Sequence, residues 1–172
     1  MSAPPAAADI AGFIFEEARL LDSARWEDWL GLFAPEGRYR VPLPGGAAPA
    51  ETAGSGAADD EPLGQSIADE DLLLLRIRIA RLRHPRAYSL QPQVSCQHVL
   101  QQPHVERIDR AGNTFTAYTP FMYAECKGDE QAILFGAVRH RLRLHEGALR
   151  IVLKRVDLLN AAAPLPAIYL FI

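Results

Sequence analysis

The chain has 172 residues, 49% of them apolar, with a net charge of -3 and two cysteines. That length can bury a sizeable core without metal or disulfide staples and predicts a single domain over 1–172. The near-neutral balance gives no electrostatic basis for a nucleic acid or an anionic membrane as partner, and no apolar run nears the ~20 residues a spanning helix needs.

The chain begins MSAPPAAADI, with neither a basic start nor an apolar core. This reads as a disordered arm over 1–8 rather than a secretory signal, and a cytoplasmic location follows as the expectation. In that compartment Cys96 and Cys126 are expected to be reduced. Ile10, Phe13, Ile14, Ala18 and Leu21 recur at helical spacing, with Asp9 as a cap. A second helix restarts at Asp22 or Ser23, where Glu27 and Asp28 favour its positive end, and Pro35 and Gly37 stop it. Its stripe is Trp26, Trp29, Leu30 and Phe33. Two tryptophans beside Asp22, Glu27 and Asp28 make either the lip of a carboxylate site or a packing element with solvated acids.

RYRVPL alternates strictly and predicts a half-buried strand with Tyr39, Val41 and Leu43 on one face. Residues 44–64, rich in Gly, Ala, Pro and acids, predict a flexible surface loop. SIADEDLLLLRIRIARLRH carries both periods. The Ser66/Asp69 spacing of a capping box and the Leu72, Leu75, Ile79, Leu82 stripe favour a helix over the whole stretch. Everything after it is strand-like. Pro103 predicts a break in QVSCQHVLQQPHVERI, because proline cannot pair within a central strand. TFTAYTPFMYAEC, QAILFGAVRHRLRLHE and ALRIVLKRVDLL follow, joined by short turns, and AIYLFI ends the chain. Helices first and an antiparallel meander second predict an α+β layering in which the sheet wraps the helices.

Chemistry is sparse. No phosphate-binding glycine loop and no G-x-S-x-G elbow occur. Cys96 and His98 form a lone C-x-H without the second pair that an iron–sulfur or zinc site needs. His98 and His140 could meet on neighbouring strands near Asp22 or Asp28 as a general acid/base pair, or each could be a core histidine with a local partner. The arginines of RHRLR and LKRVD form either a solvated face or an interface.

The run EARLLDSARWEDWLGLFAPEGRYRVPL resembles the N-terminal helix–helix–strand of the small (beta) subunits of aromatic-ring-hydroxylating Rieske non-haem iron dioxygenases. ADEDLLLLRIRIARLR, AYSLQPQVSCQHVL and LKRVDLLNAAAPLPAIYLFI extend the resemblance over most of the chain. The Ala/Gly-rich insertion and Gln97 before His98 depart from the pattern. The resemblance implies the NTF2-like, cystatin-like cone, an α+β fold whose helices sit in a curved antiparallel sheet. It implies a non-catalytic structural subunit with no cofactor of its own, the Rieske [2Fe-2S] cluster and mononuclear iron being held by the large (alpha) subunit. It also implies an α3β3 hexamer with a beta trimer. In this reading the tryptophan stripe plugs the cone, and Asp22, Glu27 and Asp28 are cap and dipole residues. The alternative is a stand-alone isomerase, dehydratase or cyclase on the same fold, with His98 and Asp28 as its acid/base pair. The subunit contacts are expected at Arg139, Arg141, Arg155 and Asp157 and at the apolar tail Tyr169, Leu170 and Phe171.

Overall fold

A computed structural model describes residues 5–43, 65–109, 111, 113–159, 161 and 163–172. The loop expected over 44–64 and the first four residues of the expected arm lie outside the described residues. Helix α1 spans Ala7–Asp22, so the last two residues of the expected arm are helical. Ala6 precedes it, and Asp9 sits in the first turn, where its carboxylate accepts from the Ala6 backbone N–H at 2.8 Å. Helix α2 is short, Trp26–Leu30, and Phe33 already opens strand β1, Phe33–Pro42. Ala24 makes the turn between the two helices with a φ of 53°.

The stretch over 66–82 is not one helix. Ser66–Asp71 is strand β2 and Leu72–Leu82 is helix α3. Asp71, not Ser66, is the cap, its side chain accepting from the Leu74 N–H at 3.0 Å. Asp69 is drawn away to the neighbouring strand, where Arg38 and Arg40 reach its Oδ1 at 2.9 and 3.1 Å. Both periods in the sequence are therefore real, one after the other.

A 3-10 turn at Tyr88–Leu90 leads into β3 (Val94–Leu100), β4 (His104–Asp109), β5 (Thr114–Lys127), β6 (Glu130–His145) and β7 (Ala148–Leu158). Pro103 falls in the break between β3 and β4, which pair in turn with the two halves of β5. The sheet order is β2-β1-β7-β6-β5-β3. One pairing departs from the expected antiparallel sheet, because β1 lies parallel to β7.

The inward face of β5 places Phe115, Ala117, Thr119, Phe121, Tyr123 and Glu125 in the core, as period-two alternation requires. On β6 the inward set is Leu134, Val138, His140 and Leu142. Between β6 and β7 the register shifts by one residue, Arg141 facing Leu153 and Leu142 facing Ile151. The shift resets the alternation and turns both Ile151 and Lys154 into the core. Helix α1 fills the sheet's concave face with Ile10, Ile14 and Leu21. Trp29 packs beneath it in contact with Phe33, Tyr39 and Phe171.

Candidate functional site

Two polar clusters and one outward face carry the chemistry of this molecule. The first cluster is fully buried. Glu17 on α1 accepts from Lys154 Nζ at 2.6 Å and from Trp29 Nε1 at 2.7 Å, both at Oε1. His140 Nε2 stands 3.4 Å from the other carboxylate oxygen without hydrogen-bond geometry, and its Nδ1 has no partner. Burial alone would raise the pKa of Glu17. The charge of Lys154 first, then the nearby His140 ring and the Lys154 hydrogen bond, outweigh it and hold the carboxyl well below the usual range. An ionised glutamate and an ammonium thus sit at 2% and 1% exposure, each satisfied by the other.

The second cluster joins the end of α1 to β3. Asp22 Oδ1 lies 2.6 Å from His98 Nδ1, and the same carboxylate accepts the His98 backbone N–H at 3.0 Å and Gln97 Nε2 at 2.6 Å. The thiol of Cys96 points at Asp22 Oδ1 and the Leu21 carbonyl at 3.9 Å. Burial, then the Asp22 charge, pushes that thiol up to about 12, so it stays protonated. The His98 ring packs on Tyr123, 4.9 Å between centroids, and its Nε2 is buried without a partner. Cys126 faces Ser95 across the strands while Cys96 faces Glu125, so the two thiols leave the sheet on opposite sides. No disulfide joins them.

These placements revise the expected site. Asp22 is not a helix cap but the partner of His98. Asp28 pairs instead on the surface with Arg25 at 2.7 Å, and Glu27 pairs with Arg83 at 3.0 Å. His98 and His140 belong to different clusters. Sequence reasoning missed Glu17 and Lys154, yet a signal exists. Glu17 falls in phase with Ile10, Ile14 and Leu21 on the apolar stripe of α1, where a charge needs a buried partner.

The donors do not fit either iron centre of a Rieske oxygenase. Among the described residues, Asp22, Cys96 and His98 are the one group of three donor atoms close enough to share an ion. A Rieske cluster takes two thiolates and two imidazoles, and a facial triad takes a second histidine. This group has one of each, the carboxylate is already saturated by N–H donors, and the thiol is held protonated.

The outward face of β6 and β7 is different in kind. Phe135 is 53% exposed there, beside Leu159 and near Tyr118 on β5, and Ile133, 55% exposed, lies on the same face further along β6. With Arg139, Arg155, Asp157 and Pro42 several of them line a groove of about 610 Å³. The arginines are not unpaired: Arg155 meets Asp157 at 2.9 Å, Arg139 meets Glu106 at 3.3 Å, and Arg143 pairs with Glu36. The tail lies elsewhere. Leu170 and Phe171 are buried at 6% and 0% within the domain's own core and have no area to offer a partner, whereas Tyr169 stays partly exposed. The expectation that the tail is covered by another subunit fails for those two residues: Trp26, Trp29 and Tyr39 pack on Phe171, and Leu170 belongs to the same core.

A family model described as the ring hydroxylating beta subunit matches residues 16–164. The chain is 29% identical over 157 residues to the small oxygenase component of the p-cumate 2,3-dioxygenase system of Pseudomonas putida, covering 91% of this chain and 81% of that one. It is 27% identical to the 2-halobenzoate 1,2-dioxygenase small subunit of Burkholderia cepacia, over 88% of this chain and 87% of that one. The crystal structure of the beta subunit of benzoate 1,2-dioxygenase from Burkholderia mallei superposes with a TM-score of 0.72 at 22% identity, over 99% and 100% of the two chains. An NTF2-like protein with a cystatin-like fold from Novosphingobium aromaticivorans shares the architecture, with a TM-score of 0.57 at 19% identity over 88% and 80%.

Proposed function

The chain belongs to the ring hydroxylating beta subunit family, and from that premise we propose that it is the structural small subunit of a multicomponent oxygenase that dihydroxylates an aromatic compound. Its task is to support assembly of the large subunits, which hold the Rieske cluster and the mononuclear iron and carry out the chemistry. The reading includes an α3β3 hexamer with a beta trimer, located in the cytoplasm. No described helix is long and apolar enough to cross a membrane.

One observation carries the reading. The cone interior, where a catalytic pocket would lie, is occupied by the protein itself: Phe171 and Trp29 fill it, and Glu17 and Lys154 neutralise each other inside it. The partner surface is the outward face around the 610 Å³ groove, with Arg139, Arg141, Arg155 and Asp157 orienting the contact and Ile133 and Phe135 supplying buried area. Co-expression with the large subunit tests this. The variant Ile133→Asp/Phe135→Asp should elute as a folded small subunit separate from the large one. An intact, fully active hetero-oligomer from that variant would place the contact elsewhere.

A stand-alone isomerase or dehydratase is the second reading, and the 2.6 Å Asp22–His98 pair is what favours it. It requires His98 to reach a substrate, yet that side chain is only 3% exposed. In the assembled oxygenase, His98→Gln should leave turnover per iron within about twofold of wild type, which an acid/base role at His98 forbids, since such groups contribute roughly 10²–10⁴-fold.

A further inference from the structure

We propose that the open end of the cone is a recognition cleft for an extended apolar peptide, and that the chain's own residues 169–172 are the ligand it holds. The tail is neither helix nor strand, so its backbone groups have no ladder to pair with. Side chains from three separate elements take them instead. Glu125 on β5 accepts the N–H groups of Tyr169 at 3.0 Å and Leu170 at 3.0 Å. Arg78 on α3 donates to the Leu170 carbonyl at 2.7 Å. The Tyr39 hydroxyl on β1 accepts the Ile172 N–H at 3.2 Å.

Specificity comes from the side-chain slots. Phe171 enters a pocket walled by Trp26, Trp29 and Tyr39, with ring centroids 5.8, 4.6 and 5.9 Å away. The Arg78 guanidinium closes that slot from above, 4.3 Å from the ring centroid. Arg78 is itself fixed by Glu70 at 3.1 Å. Buried and half-buried groups aimed at main-chain N–H and C=O, combined with one deep aromatic slot, are the device by which clefts bind extended peptides. Glu125 is 4% exposed, and its acceptor capacity is spent on the tail and on the Tyr123 hydroxyl at 2.7 Å.

The full-length chain tests this after a protease site is inserted between Pro166 and Ala167, both exposed. After cleavage the fragment should co-elute with the body. A labelled synthetic peptide of residues 167–172 should then exchange into its place, and the same peptide with Phe171→Ala should compete at least tenfold more weakly. Arg78→Ala in the body should weaken retention by a similar factor. If the cleaved tail elutes alone from a folded body, or the Phe171→Ala peptide competes equally, there is no recognition site. A body that unfolds on cleavage would also overturn the proposal, because the tail would then be inseparable from the fold rather than an exchangeable ligand.

Discussion

Glu17 is the residue whose loss the molecule should feel most. Replacing it with Gln leaves the Lys154 ammonium buried and unpaired, and removing one partner of a buried ion pair costs about 3–5 kcal/mol. A urea midpoint measures this, and the double variant Glu17→Gln/Lys154→Met should recover much of it, since no unpaired charge is then left buried. The pH dependence has a definite sign. The folded pKa of Glu17 lies below its ordinary 4.5, so its ionisation contributes stability that is complete above that value and is lost as pH falls beneath it. Wild type should therefore weaken more steeply below about pH 4.5 than Glu17→Gln does, because only the carboxylate has a proton to take up. Little of this was legible in the sequence. Periodicity places Glu17 on the buried stripe, but only tertiary structure brings Lys154 to it, 137 residues later. The same limit explains His98. Its C-x-H motif is visible in the sequence, whereas its partner Asp22 lies 76 residues earlier and looks like a helix start.

At the scale of elements, the sequence yields the long, regular ones and misleads at the junctions. The alternation of RYRVPL and the stripe of α1 each have one period and one buried face, and both elements form, although β1 ends at Pro42, one residue short of Leu43, and Phe13 stays half-buried. Residues 66–82 carry two periods, and a single assignment cannot hold both. What decides between them is Asp71, whose side chain starts α3 five residues later than Ser66 would. Asp71→Ala should cost about 1 kcal/mol, the usual loss for an N-cap, seen as a lower thermal midpoint with an unchanged sheet signature. The β6–β7 pairing offers a sharper test. A Cβ on Gly136 would collide with the Asp157 carbonyl of the neighbouring strand. Gly136→Ala should destabilise the fold by roughly 1–3 kcal/mol, as overpacked sites do, and would distort the groove beside it. The sequence shows no sign of this, because the glycine lies inside an otherwise ordinary strand.

For the whole molecule, composition and element order were enough to predict helices wrapped by a sheet, and the family supplied the cone. What the sequence could not supply was direction across the sheet. The meander reads as antiparallel from its turns, but β1 has no turn to β7, and they meet in parallel. Nor could it show that the tail folds inward, since an apolar terminus fits a subunit contact as well as a core. If the subunit is structural, chelation that strips iron from the assembled oxygenase should leave the thermal midpoint of the isolated small subunit unchanged. A drop would mean that this chain binds a metal of its own. The β1–β7 pairing also has a consequence for synthesis on the ribosome. The first-made strand finds its second neighbour, after β2, only in the last-made one, and Tyr39 meets Ile172 across 133 residues. Helix α1 must likewise carry the Glu17 charge, set in an apolar stripe, until Lys154 leaves the exit tunnel. Contacts of that sequence separation slow folding and keep early segments exposed while they wait. The N-terminal half therefore keeps its apolar faces exposed while the rest is made, and the cone closes only once β7 and residue 172 are available.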